Sequence, residues 1–302
     1  MSDDREVREG SVQCRHCEAQ YSITNGIVDM LGEPPDWIAK EQQGWLTLLG
    51  EPAPALAEQM LLLPYLPDPH WQEHAGNFNE IIDRIDLHDA AVLDVGSGRT
   101  WSARWLKRRG ARQVVACDVL RAKYIGLETA DIFMEADNIF FERVLCDMER
   151  LPFASGSYDV IFTTASLHHA NDLTRAFTEI ARVLRSNGRA FIINEPVRRL
   201  RSPVNMHGNL EIEVGINEHI YTIDEWLKAV KKAGLRPQLL LPDAVIRSVK
   251  QQKPTQFILE NNQVNYLPWI NILGRHIMGL QSVLVRVYQN HAIPLMLIAH
   301  KC

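Results

Sequence analysis

The strongest constraint on this chain's fold is a buried strand that runs straight into glycines. In Val92-Leu-Asp-Val-Gly96-Ser-Gly98-Arg-Thr-Trp101 a short apolar run meets a Gly-x-Gly turn, and helical spacing begins directly after it. Glycine accepts positive φ and lets a ligand approach the main chain without meeting a Cβ. The helix that follows presents unbonded N–H groups at its first turn. Such a strand–turn–helix is the opening unit of an open α/β sheet that binds a ligand at its carboxyl edge.

The rest of the chain repeats that grammar. Apolar runs suited to strands buried on both faces occur at 91–95, 113–117, within 138–146, at 158–164 and at 189–194. Helical stretches fall near 100–109, 121–135 and 172–185. The last of these keeps Leu173, Phe177, Ile180, Ala181 and Leu184 on one face. A helix over 224–233 stops at Gly234, and 235–241 and 294–300 read as two final strands. This alternation predicts an α/β fold with a doubly wound, mostly parallel sheet over residues 90–302.

Two additions and one insertion complete the organisation. Residues 1–33 read as a small β unit, in which Cys14-Arg-His-Cys17 precedes two short strands around an Asn25-Gly26 turn. Residues 34–89 read as a helical cap, with prolines separating helices near 36–49, 54–63 and 70–86. A helical insertion is expected at about 242–292. Within it, 270–288 reads as a surface helix packed on the core, with a substrate lid or a membrane-surface helix as alternatives.

Three ligand classes use a glycine turn of this kind. Nucleoside triphosphates need a Gly-x4-Gly-Lys-Ser/Thr loop, and no such lysine follows. Dinucleotides call for a third glycine where Trp101 stands. S-adenosylmethionine carries no pyrophosphate and does not need that glycine. The acids fit it as well. Asp94 closes the first strand, Asp118 ends the second, where it can accept from both ribose hydroxyls, and Asp147 ends the third. Each acid alone could be a helix N-cap. Together with both glycines they would surround one ligand.

On these residues the stretch 91–200 resembles a class I S-adenosylmethionine-dependent methyltransferase of the small-molecule-modifying type. The matching stretches are Val92–Gly98, Asp118, 147–153, Tyr158-Asp-Val-Ile161, Leu167-His-His169 and Glu179-Ile-Ala-Arg-Val-Leu184. Asn187-Gly188 stands where that family has Pro-Gly-Gly. The resemblance implies a seven-stranded Rossmann-like sheet with an antiparallel last strand, supplied by 294–300. It also implies that Gly96 and Gly98 line the methionine end of the cofactor, with Asp94 and Ser97 beside them. Asp118 would hold the ribose, and Asp147 with Met148 the adenine. S-adenosylhomocysteine would be the product.

Methyl transfer needs an aligned nucleophile, exclusion of water and, for some acceptors, removal of a proton. His168 and His169 follow the fourth strand and His219 lies in a polar pair with Glu218. Each could be a general base or a residue bracing its loop. Glu195 and Glu218 are candidate substrate contacts on the same footing. Thr222 to Glu225 has capping-box spacing, which makes Glu225 structural.

The net charge of −5 gives no bulk attraction to phosphate backbones, so a small-molecule acceptor is favoured over nucleic acid. The alternatives are an RNA methyltransferase, suggested by the N-terminal cysteines, and a non-catalytic binder of the same cofactor. The segment 1–33 is similar to half of a zinc-ribbon knuckle, but structural zinc takes four ligands and only Cys14 and Cys17 are paired. A metal-free relic is the leading reading there, with zinc held within one chain or shared between two as alternatives. With five cysteines, no apolar run of membrane-spanning length and a charged opening segment, a cytoplasmic location is expected.

Overall fold

The protein is described by a computed structural model over residues 6–50, 56–198, 209–243, 245–247, 256–259, 262–265 and 294–302. The chain opens with β1 (Glu9–Gln13), β2 (Gln20–Thr24) and β3 (Ile27–Asp29), the last two joined through Asn25 and Gly26, both at positive φ. Helices α1 (Asp36–Leu49), α2 (Leu56–Leu62) and α3 (Pro69–Ile82) follow. Helix α3 is started by Asp68, whose side chain accepts from the Trp71 N–H, and by Pro69 in the first turn.

The alternating unit then runs β4 (Ala91–Val95), α4 (Trp101–Arg108), β5 (Gln113–Asp118), α5 (Ala130–Asp137), β6 (Glu142–Leu145), β7 (Tyr158–Thr164), α6 (Leu173–Val183) and β8 (Leu184–Glu195). It closes with α7 (Leu210–Glu213), α8 (Ile223–Lys232), β9 (Arg236–Leu239), a hairpin of β10 (Gln256–Leu259) and β11 (Asn262–Asn265), and β12 (Leu295–His300). Thr222 and Glu225 form the capping box of α8.

One sheet runs through the molecule in the order β1-β2-β3-β6-β5-β4-β7-β8-β12-β9. Strands β6, β5, β4, β7 and β8 are parallel, and β12 is antiparallel to both of its neighbours. Every position of β4 is buried, as a central strand covered on both faces requires. Alternate residues feed two cores. Phe78, Trp101, Phe133, Phe162 and Phe191 fill one face, and Ile161, Phe177, Ile192 and Trp226 the other.

Several expectations need correction. The sheet has ten strands, seven from residues 91–300 and three from the N-terminal β unit, because β3 pairs in parallel with β6 and carries β1 and β2 with it. Arg143 on β6 is wholly buried in that junction, where it reaches Glu6, the Asn25 carbonyl and Asp131. The helix expected over 121–135 starts only at Ala130, since Tyr124 takes positive φ and 127–129 is a single 3-10 turn. The strand expected at 189–194 begins at Leu184, and Asn187-Gly188 forms a bulge within it. The described part of the insertion holds helical residues at 243 and 245–247 and the hairpin β10–β11, and 270–288 lies outside the described residues. Among the described residues no helix is long and apolar enough to cross a membrane.

Candidate active site

The turn after β4 is a cradle made of main chain. Gly96 has φ +62°, and a Cβ there would stand 2.4 Å from Ser166 Oγ. Gly98 has φ +46°. Ser97 is buried, and its Oγ has no hydrogen-bond partner. Asp118 faces this turn from the tip of β5. One of its oxygens accepts from the Gly98 N–H at 2.7 Å and the other from the Leu120 N–H at 2.8 Å. Burial pushes this carboxyl up to about 6 against the pull of those N–H groups.

Asp147 and Met148 complete that end of the cavity. Asp147 accepts from the Glu149 N–H at 2.8 Å, and burial raises its pKa. Asp94 sits elsewhere. It is fully buried beneath the turn, accepts from Ser102 Oγ at 2.6 Å, and is raised to about 7 by burial. It does not line the cavity, so its service to the site is to brace the turn.

The cavity of about 540 Å³ extends from the turn to the cap, within the usual range for small-molecule sites. Trp37, Trp45 and Trp71 of the cap and Trp101 of α4 line it, together with His70 and His74. Helix α1 is docked beside the tip of β5, with Gln42 Nε2 donating to the Val119 carbonyl at 2.7 Å.

The predicted histidines and glutamates gather around the loop after β7. Glu195 is fully buried and accepts from the N–H groups of Ser166, Leu167 and His168 at 3.1, 3.0 and 3.2 Å. It also lies 2.7 Å from His168 Nδ1. It therefore clamps the loop after β7 and does not itself line the cavity. Burial would lower the His168 pKa, but Glu195 and Glu218 more than offset it and raise it to about 10. His169 does line the cavity, donates from Nδ1 to the Asn217 carbonyl at 3.0 Å, and is pushed down to about 3 by burial and by its charged neighbour. His219 stands farther back, stacked on Tyr221, with its main-chain N–H on the His168 carbonyl at 3.1 Å.

Glu41 was missed from sequence. It lines the cavity from α1, accepts from the Asn217 N–H at 2.6 Å and from Trp45 Nε1 at 2.9 Å, and is raised to about 7 by burial. The signal was there in the spacing of Trp37, Glu41 and Trp45, which puts all three on one helix face. Cys14 and Cys17 lie in the turn between β1 and β2 as free thiols. Main-chain N–H groups of Cys17 and His16 pull the Cys14 thiol down. Among the described residues no third metal-ligating side chain joins the pair.

The cavity thus begins at a glycine turn, is flanked by Asp118 and Asp147 and ends under a cap. Residues 93–192 match the methyltransferase domain family, whose cofactor is S-adenosylmethionine. The chain is 31% identical over 185 residues to the methyltransferase GfsG of Streptomyces halstedii, covering 57% of this chain and 64% of that one. It is 30% identical over 150 residues to the mitochondrial arginine-hydroxylase NDUFAF5 of Danio rerio, covering 47% and 44%. The chain thus spans between about two fifths and two thirds of these relatives' lengths. In fold it is similar to a geranyl diphosphate C-methyltransferase from Streptomyces coelicolor A3(2), solved with S-adenosyl-L-homocysteine. The TM-score is 0.59 at 15% identity, over 89% of this chain and 99% of that one.

The residues present fit that cofactor. Gly98 leaves the space beside it open, with nothing nearer than 3.9 Å to where a Cβ would stand, the buried Ser97 Oγ lacks a partner, and Asp118 lines the cavity beside them.

Proposed function

We propose that this chain transfers a methyl group from S-adenosylmethionine to a small acceptor held beneath the cap helices. The observation that carries the reading is the continuity of one walled cavity from the Gly96–Gly98 turn to Trp37, Trp45 and Trp71. The bound sulfonium supplies an already activated methyl group, so the protein's work is alignment and exclusion of water. Asp118 holds the ribose hydroxyls and Asp147 with Met148 the adenine, while Gly96, Ser97 and Gly98 receive the methionine end.

The tryptophans set the acceptor's plane and keep water out, and His169 meets the acceptor from the loop after β7. His168 and Glu195 are positioning residues that fix this loop, with Glu218 and His219 behind them. A walled aromatic cavity bordered by Glu41 favours a compact, uncharged or cationic acceptor over an RNA strand. The free thiols of Cys117 and Cys146, buried in the sheet, suit a reducing compartment and so support a cytoplasmic location.

The test is calorimetry with S-adenosylhomocysteine followed by an acceptor screen read by mass spectrometry. A gain of one methylene with release of S-adenosylhomocysteine is the expected result. Binding without turnover would mean a non-catalytic binder, and a gain of one oxygen would replace transfer with hydroxylation.

A further inference from the structure

We propose that His168, His169 and Glu218 form a binding site for one divalent transition-metal cation. One ligand atom from each lies within 4.8 Å of the other two. Glu218 Oε2 is 3.3 Å from His168 Nε2 and 3.6 Å from His169 Nδ1. Donors at about 2.0–2.2 Å around a tetrahedral ion stand about 3.3–3.6 Å from one another, so both edges already have the length that an ion between them requires.

The orientation agrees with the spacing. The Glu218 side chain is 6% exposed, yet its Oε2 makes no hydrogen bond, although an imidazole nitrogen is 3.3 Å away. A buried carboxylate oxygen left so is costly. Behind the site, Glu195 lies 2.7 Å from His168 Nδ1. A carboxylate there holds the proton on Nδ1, so that an ion would take the place of the Nε2 proton, the outer-shell arrangement common to metal-bound histidines.

Charge points the same way. The carboxylates of Glu41, Glu195 and Glu218 have side chains 4%, 0% and 6% exposed around two imidazoles. Among the described residues none of the three is paired with Arg or Lys. On binding, His169 Nδ1 would exchange its hydrogen bond to the Asn217 carbonyl, 3.0 Å away, for the ion, and that oxygen is the adjacent further donor. Two imidazoles with one carboxylate suit a first-row transition ion better than magnesium or calcium. Because His169 lines the cavity, an ion here would meet an oxygen of the acceptor. That last consequence rests on the transfer reading, whereas ion binding does not.

The test is a Co2+ titration of the chelator-stripped full chain, followed by visible absorption and calorimetry. The expected result is one equivalent with ligand-field bands, and a loss of at least about tenfold in affinity in Glu218→Gln and again in His169→Gln. Retained S-adenosylhomocysteine binding shows that those variants are folded. His74→Gln, in the second histidine pair of the cavity, and Cys14→Ser leave Co2+ binding unchanged. Absence of a stoichiometric Co2+ complex would overturn the proposal, leaving His168 as a proton-bridged partner of Glu195 and Glu218. Affinity that follows His74 or Cys14 would overturn it equally, and neither result depends on whether a methyl group is transferred.

Discussion

The two ends of the cavity are built by different means. The cofactor end is mostly main chain, with two glycines at positive φ and a strand-tip aspartate held by backbone N–H groups. The end proposed for the acceptor is walled mostly by side chains, where α1, the loop after β7 and residues 217–218 bring tryptophan, histidine and glutamate together. A main-chain cradle can be disabled only by a residue that will not fit. A side-chain wall can be trimmed piece by piece, and its parts can be reassigned to a new acceptor without disturbing the cradle.

Gly96→Val should break the cofactor end outright. Its side chain would meet Ser166 and would have to hold φ +62°, so S-adenosylhomocysteine affinity should fall by at least about a hundredfold. Calorimetry on protein with an unchanged circular dichroism spectrum checks this. Asp118→Asn should weaken the same ligand by about 10–100-fold, the usual worth of hydrogen bonds to a charged acceptor. It should also flatten the pH profile. The wild-type carboxylate titrates near 6, so wild-type affinity should decline as pH falls through that value while the variant stays constant.

Asp94 tests the support beneath the turn. Its pKa is raised from 3.8 to about 7, so the folded chain holds a proton that the unfolded chain releases. That contribution to stability is fully present below 3.8 and is lost as pH rises through 7. Asp94→Asn should remove this dependence. Between pH 5 and pH 7 the wild type should lose on the order of 1–2 kcal/mol relative to the variant in urea unfolding. Equal slopes would mean that Asp94 is ionised in the fold.

The smallest effect belongs to the acceptor wall. Trp45→Ala removes a ring set edge-on to His169 at 5.7 Å and the donor to Glu41. KM for the acceptor should rise about tenfold, consistent with the loss of one buried aromatic contact, while S-adenosylhomocysteine affinity stays put. A matched loss at both ends would erase the distinction between them.

The same division explains what could be read in advance. The cradle is local, since Val92 through Trp101 carries strand, turn and helix in ten consecutive residues, and Asp118 and Asp147 stand at strand ends marked by apolar runs. The clamp of Glu195 on the loop after β7 depends on two neighbouring strands and was legible only as a polar residue at the right edge. Glu41 was not found because nothing in a cap helix says which strand edge it will cover. The pairing of Ile27, Val28 and Asp29 with Arg143, Val144 and Leu145 was also out of reach, for it is a tertiary choice between segments more than a hundred positions apart.

That parallel seam between β3 and β6 has a consequence for how the chain is made. Its early hairpin cannot be seated until the ribosome has delivered Leu145, and until then β3 offers an unmatched edge. The first strands synthesised thus wait for the third strand of the alternating unit before they find their place. A chain shortened to begin after them would leave β6 as a bare border on which other chains could stack.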